Sequence, residues 1–129
     1  MSMSADLRDR LEAAGVAGGA VFRDLAPSNA MRPFVILQTI SDPRPSTYEG
    51  RSRFRETRVQ ADCQGTSRKQ ADDIAEALII AAEGAGTFGT TKFTRAFVDS
   101  LRSYSDRESG TEPVYVTSLD LQIWHAPAA

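Results

Sequence analysis

The residues that could carry chemistry are few. Cys63 is the only cysteine and His125 the only histidine. A thiol and an imidazole form a nucleophile–base pair only when both reach one cleft. Thr57, Val59, Ala61 and Cys63 are small or apolar, and they alternate with Arg58, Gln60, Asp62 and Gln64. That period of two belongs to a half-buried strand and puts the thiol on its inner face. A lone cysteine excludes an internal disulfide and a cysteine-rich metal site, and a lone histidine excludes a histidine cluster. Gly84-Ala85-Gly86-Thr87-Phe88-Gly89 is glycine-rich. It follows a helix, whereas a phosphate cradle joins a strand to a helix start, so it reads as a flexible helix exit. Asp72 and Glu76 share the helix face opposite the apolar stripe and read as solvated. No catalytic, cofactor-binding or metal-binding residue is assigned, and no cofactor is expected. An enzyme would have to work through Cys63 or His125.

The elements that would position these groups centre on Arg55 to Gly86, a strand, a tight turn and a helix. Ala71, Ile74, Ala75, Leu78, Ala82 and Ala85 recur at three and four, the stripe a helix needs to dock on a sheet. Ser67 and Gln70 fit a capping box, and Gly84 and Gly86 suit a left-handed stop. Upstream, Leu7, Leu11 and Ala14 mark a short helix ended by Gly15, and Val21 to Leu25 fits a short strand. Pro33 opens the most apolar run, Phe34 to Ile40, as a central strand covered on both sides would. Lys92 to Tyr104 fits both a helical stripe and a strand. We read it as a strand with a bulge, because strict alternation puts Arg95 and Asp99 beside Phe93 and Phe97. Ser105 to Pro113 is a polar turn, Val114 to Trp124 alternates as a strand, and 126–129 is a tail. The expected fold is a single α+β domain over 1–129. It has an antiparallel or mixed sheet of about four to five strands, one long helix packed across it and a short N-terminal helix.

A chain of 129 residues, 41% hydrophobic and 25% charged, is large enough for one core. A net charge of −2 gives no bulk attraction to nucleic acid or a membrane. Met1 to Leu11 has no apolar run, so neither a signal peptide nor a membrane span is expected, and synthesis in a reducing cytoplasm is.

Ser41 to Arg53 is a long polar loop with two prolines, the kind of excursion that serves a function. Tyr48, Arg51 and Arg53 on it, with Arg55 beside it, are candidate contacts to a neighbouring subunit or partner. Asp42, Glu49 and Glu56 interrupt the basic run and argue against nucleic-acid recognition. Arg68 and Lys69 stand at the positive end of the helix, where the dipole disfavours cations, and this adds them to the candidate interface.

The order of pieces resembles the tail-completion, or tail-terminator, proteins of long-tailed bacteriophages and their prophage and gene-transfer-particle relatives. The resemblance runs from about Leu7 to His125. It is carried by Val21-Phe22, Pro33-Phe34-Val35-Ile36-Leu37, Thr57-Arg58-Val59-Gln60-Ala61, Ser67-Arg68-Lys69-Gln70-Ala71 and Leu119-Asp120-Leu121-Gln122-Ile123-Trp124-His125. It implies a non-catalytic homo-oligomer, commonly a ring of six, at the head-proximal end of the tail tube. Such a ring stops tube growth and meets the head–tail connector, with the genome free to pass through its lumen. The implied partners are the tail-tube protein and the connector or stopper. The implied location is the virion tail or neck, after synthesis in the host bacterial cytoplasm. A second reading is another neck component such as the head-side stopper, and a third is a small-ligand-binding domain.

Overall fold

The computed structural model describes residues 3–42, 46–47, 50–51, 54–106 and 113–128. Helix α1 spans Met3–Ala13, and a 3-10 turn follows at Val16–Gly19. Strands β1 (Val21–Arg23), β2 (Phe34–Ser41), β3 (Ser46–Thr47), β4 (Gly50–Arg51) and β5 (Arg55–Gly65) precede helix α2 (Arg68–Glu83). Strands β6 (Gly86–Phe88), β7 (Thr91–Asp106) and β8 (Val114–Pro127) complete the order. Six strands form one curled sheet in the order β1-β2-β5-β8-β7-β6. β1 runs parallel to β2, and every other neighbouring pair is antiparallel.

The inner face follows from the alternation of β5. Thr57, Val59, Ala61 and Cys63 are all buried, and Val35 and Leu37 of β2 lie level with Cys63 and Ala61. Leu119, Leu121 and Ile123 of β8 continue the layer on the other side. Helix α2 lays Ile74, Ala75, Leu78 and Ala82 on this face, and α1 adds Leu7 and Leu11. Side chains as fully buried as Leu78, Leu119 and Leu121 each contribute roughly 1.5–3 kcal/mol.

The expected fold class is overturned. The sheet has six strands rather than four to five, and strands make up about half of the chain. Neither helix is long: α1 has 11 residues and α2 has 16, so the fold is mostly β with two short helices. The extra strand content has local causes. Gly86–Phe88, expected as a loose helix exit, pairs with Phe93, Lys92 and Thr91. Lys92 to Tyr104 is a strand throughout, and the register against β8 slips at Thr94 and again at Asp99. That segment was expected as a bulged strand, and the two slips are the irregularities its broken alternation implied. β8 runs on to Pro127, through part of the expected tail. Inside the expected 41–53 loop, Ser46–Thr47 and Gly50–Arg51 form a small antiparallel ribbon.

The ends of α2 also differ from expectation. Ser67 Oγ accepts from the Gln70 amide at 3.1 Å, a cap worth about 1 kcal/mol. The Gln70 side chain does not reach back to Ser67. It accepts instead from the Thr66 amide at 2.7 Å and from the Thr66 hydroxyl at 3.0 Å. At the other end, Gly84 is extended (φ −80°, ψ 157°), not left-handed. The last carbonyls are taken by Arg10 of α1, which donates to Gly84 O at 2.6 Å and Ala82 O at 3.4 Å.

Candidate functional site

The two reactive side chains are far apart. His125 stands level with Arg55 at one end of β5, while Cys63 lies level with Thr117 near the other. Positions 55 and 63 of one strand are separated by roughly 25 Å, at about 3.3 Å per residue. Cys63 is fully buried, and burial, followed by the charge of Asp62, pushes its thiol up to about 12. Iodoacetamide at pH 8.5 should therefore modify the folded protein roughly a thousandfold more slowly than the denatured chain, measured by intact mass. The sign in alkali follows as well. The folded thiol holds its proton more tightly than the unfolded one, so stability falls as pH rises from the ordinary thiol range toward 12.

His125 belongs to a buried polar cluster. Its Nε2 lies 2.7 Å from Thr57 Oγ1, and Thr57 Oγ1 donates to Asp42 Oδ1 at 2.9 Å. A hydroxyl has one proton, and an ionised carboxylate can only accept. Thr57 therefore gives its proton to Asp42 and accepts from the Nε2–H of His125. With that tautomer His125 does not act as a base toward the hydroxyl. Arg55 adds an ion pair to Asp42 at 3.6 Å. The cluster lines a cavity of about 500 Å³ whose other walls include Met3, Thr39 and Thr91. Its visible work is to join the end of β2 to β5 and β8. The alternation of β5 marked Thr57 as inward-facing, but no local signal linked it to His125.

The expected interface residues divide into three groups. Tyr48 and Arg53 lie outside the described residues, and of Arg51 only its place in β4 is described. Arg55 and Arg68 are engaged within the chain. Arg68 donates to Val116 O at 2.8 Å, to Thr117 Oγ1 at 2.6 Å and to Tyr104 O at 3.3 Å, and it pairs with Asp72 at 3.5 Å. This fastens the start of α2 to β8 and β7 and compensates for a cation at the positive helix end. Lys69 is exposed and pairs with Asp73 one turn on, at 2.7 Å. Asp72, expected as solvated, also accepts from the Thr117 hydroxyl at 2.7 Å.

Sequence reasoning missed an aromatic surface. Phe54, Phe97 and Trp124 line a cleft of about 340 Å³, rimmed by Arg55, Arg95 and His125. The three rings are 69%, 43% and 39% exposed, and the Arg95 guanidinium sits 4.3 Å from the Phe97 ring centre. Exposed aromatic side chains interleaved with arginine are the composition of protein–protein contact surfaces. The signal was scattered over three segments, so no window of sequence displayed it. Among the described residues no three His, Cys, Asp or Glu side chains gather as a metal site would need.

The chain belongs to the tail completion protein gp17 family, whose model matches residues 2–126. Its fold is similar to that of a chain in the solved structure described as "Virion of native gene transfer agent (GTA) particle". The TM-score is 0.64 at 16% identity, over 97% of this chain and 96% of that one. No curated protein sequence matches it significantly. It is thus a structural tail protein of the bacteriophage type. No helix among the described residues is long and apolar enough to cross a membrane.

Proposed function

We propose that this protein is a tail terminator: a ring of copies, six as the family resemblance implies, seated on the head-proximal end of the tail tube. The ring halts tube growth and offers its other face to the head–tail connector. The observation that carries this reading is the family match across the whole sheet and both helices, from 2 to 126. The aromatic cleft supports it as a surface suited to protein contact. Tyr48, Arg51, Arg53 and Lys69 are the proposed contacts to neighbours. Arg55 and Arg68 act indirectly, by holding the loop base and the helix start in place.

The test mixes purified protein with polymerising tail-tube protein and images the tubes by negative stain. Tubes should carry a ring at one end and stop lengthening. Tubes that grow unchanged with bare ends would remove the terminator role. Arg51→Glu with Arg53→Glu should cut tube-end occupancy at least tenfold while shifting the urea midpoint by less than the equivalent of about 0.5 kcal/mol. An equal loss of folding would instead assign the two arginines to the fold.

A further inference from the structure

One edge of the sheet is open. β6 pairs only with Thr91, Lys92 and Phe93 of β7, and among the described residues no strand pairs with the outer side of β7 from Thr94 to Asp106. That stretch is apolar on both faces. Val98 and Leu101 lie level with Leu121 and Leu119 on the inner face, while Phe97 and Tyr104 lie level with Gln122 and Val116 on the outer. These four side chains are 36–50% exposed. A long, unpaired apolar strand is a template for another strand.

The opposite edge is closed. Arg8 Nε donates to Val21 O at 3.0 Å, and Arg23 O accepts from the Leu25 amide at 2.7 Å. Beyond β1, the remaining stretch of β2 is broken by a register slip at Ile40. With a single open edge among the described residues, strand pairing between copies brings β7 against β7. Such a contact uses the same patch twice and closes at two copies.

We propose that two copies of this chain pair antiparallel along β7, about a two-fold axis at Leu101. The slip at Asp99 sets this register. It changes the phase of the strand, so that Arg95 and Phe97 before it share the outer face with Arg102 and Tyr104 after it. With that extra residue counted, an axis at Leu101 matches outer positions with outer positions and sets Asp99 and Ser100 together opposite Arg102. In that register Phe97 meets Tyr104 of the second copy and Asp99 meets Arg102. Opposite charges meet at Asp99 and Arg102, and the two aromatics meet each other, both favourable as cross-strand pairs. A slide of two residues in either direction leaves no opposite charges level within the strand.

The test reads register directly. Phe97→Cys and Tyr104→Cys are made as separate proteins and oxidised alone and mixed; buried Cys63 does not compete. The mixture should yield at least tenfold more covalent pair than either variant alone. Wild-type protein should show a two-copy mass by light scattering at tens of micromolar. Arg102→Asp sets like charges against Asp99 in both halves and should raise the dissociation constant roughly tenfold, and Asp99→Arg with Arg102→Asp should restore it. Asp99 also holds Arg58 at 2.6 Å, so thermal melts of each variant separate a lost pair from a lost fold. Monomeric wild-type protein at hundreds of micromolar, or equal cross-linking in the unmixed variants, overturns the proposal. The cross-link reads the pair and the tube assay reads the ring, so either can fail while the other stands.

Discussion

Arg10→Ala should lower the unfolding free energy by about 3 kcal/mol, seen as a shift of the urea midpoint at constant slope. The side chain is almost wholly buried, yet it belongs to the residue type least suited to burial. Burial lowers its pKa from the usual arginine value, which states the cost of holding the charge there. Three contacts offset that cost. The guanidinium donates to two carbonyls at the end of α2, where the helix dipole favours a cation. It also lies between two rings, 4.9 Å from the centre of Phe88 and 5.3 Å from that of Phe93. Alanine would leave the carbonyls without their donor and a hollow between the rings. Arg10→Met fills much of the hollow but supplies no donor, and it should recover about 1 kcal/mol of the loss. If Arg10→Met were as stable as wild type, the packing would matter and the helix cap would not.

Gly89→Ala should cost about 3 kcal/mol, from two separable sources. Gly89 has φ +58°, a left-handed conformation that costs a residue with a Cβ about 1–2 kcal/mol. The added methyl would also overlap the Asp6 carboxylate. Asp6 has little room to retreat. It is buried, and its Oδ2 accepts from the Thr91 hydroxyl at 2.6 Å and from the Thr90 amide and hydroxyl, each at 3.2 Å. These bonds tie α1 to the turn between β6 and β7. In an Asp6→Ala background the overlap is gone, so Gly89→Ala should add only about 1 kcal/mol of backbone strain. Strictly additive losses would show that the carboxylate is not what excludes a side chain at position 89.

These two positions mark where sequence reading stops. Periodicity is local, and where it governed, it served. The alternation from Thr57 to Cys63 faces the core, and so does the stripe from Ala71 to Ala82. Ser67 caps its helix as its type and place suggested. Strand content was underestimated because β6 is too short to show a period, whereas the broken alternation of β7 was legible as a bulged strand, with slips at Thr94 and Asp99. The work of Arg10 was invisible because its acceptors lie on another element far along the chain. The same holds for Thr57 and His125, and for the cleft of Phe54, Phe97 and Trp124. Of the interface candidates, Arg55 and Arg68 turned out to be bonded internally, and a count of charges does not separate a bonded arginine from a free one.

The strand order carries a consequence in time. β5 lies between β2 and β8, and its long register with β8 matches Arg55 to His125 and Gly65 to Tyr115. A nascent chain emerging from the ribosome presents β5 well before its second neighbour exists. Until the last strand is synthesised, the middle of the sheet is an unfinished margin beside a helix that has nothing complete to rest on. Closure waits on contacts between remote parts of the chain, the slow kind. Slow translation or stalling before Val114 should therefore leave a sticky intermediate, and ribosome-bound chains arrested there should be protease-sensitive while chains carrying a linker that brings Val114–Pro127 clear of the exit tunnel are not.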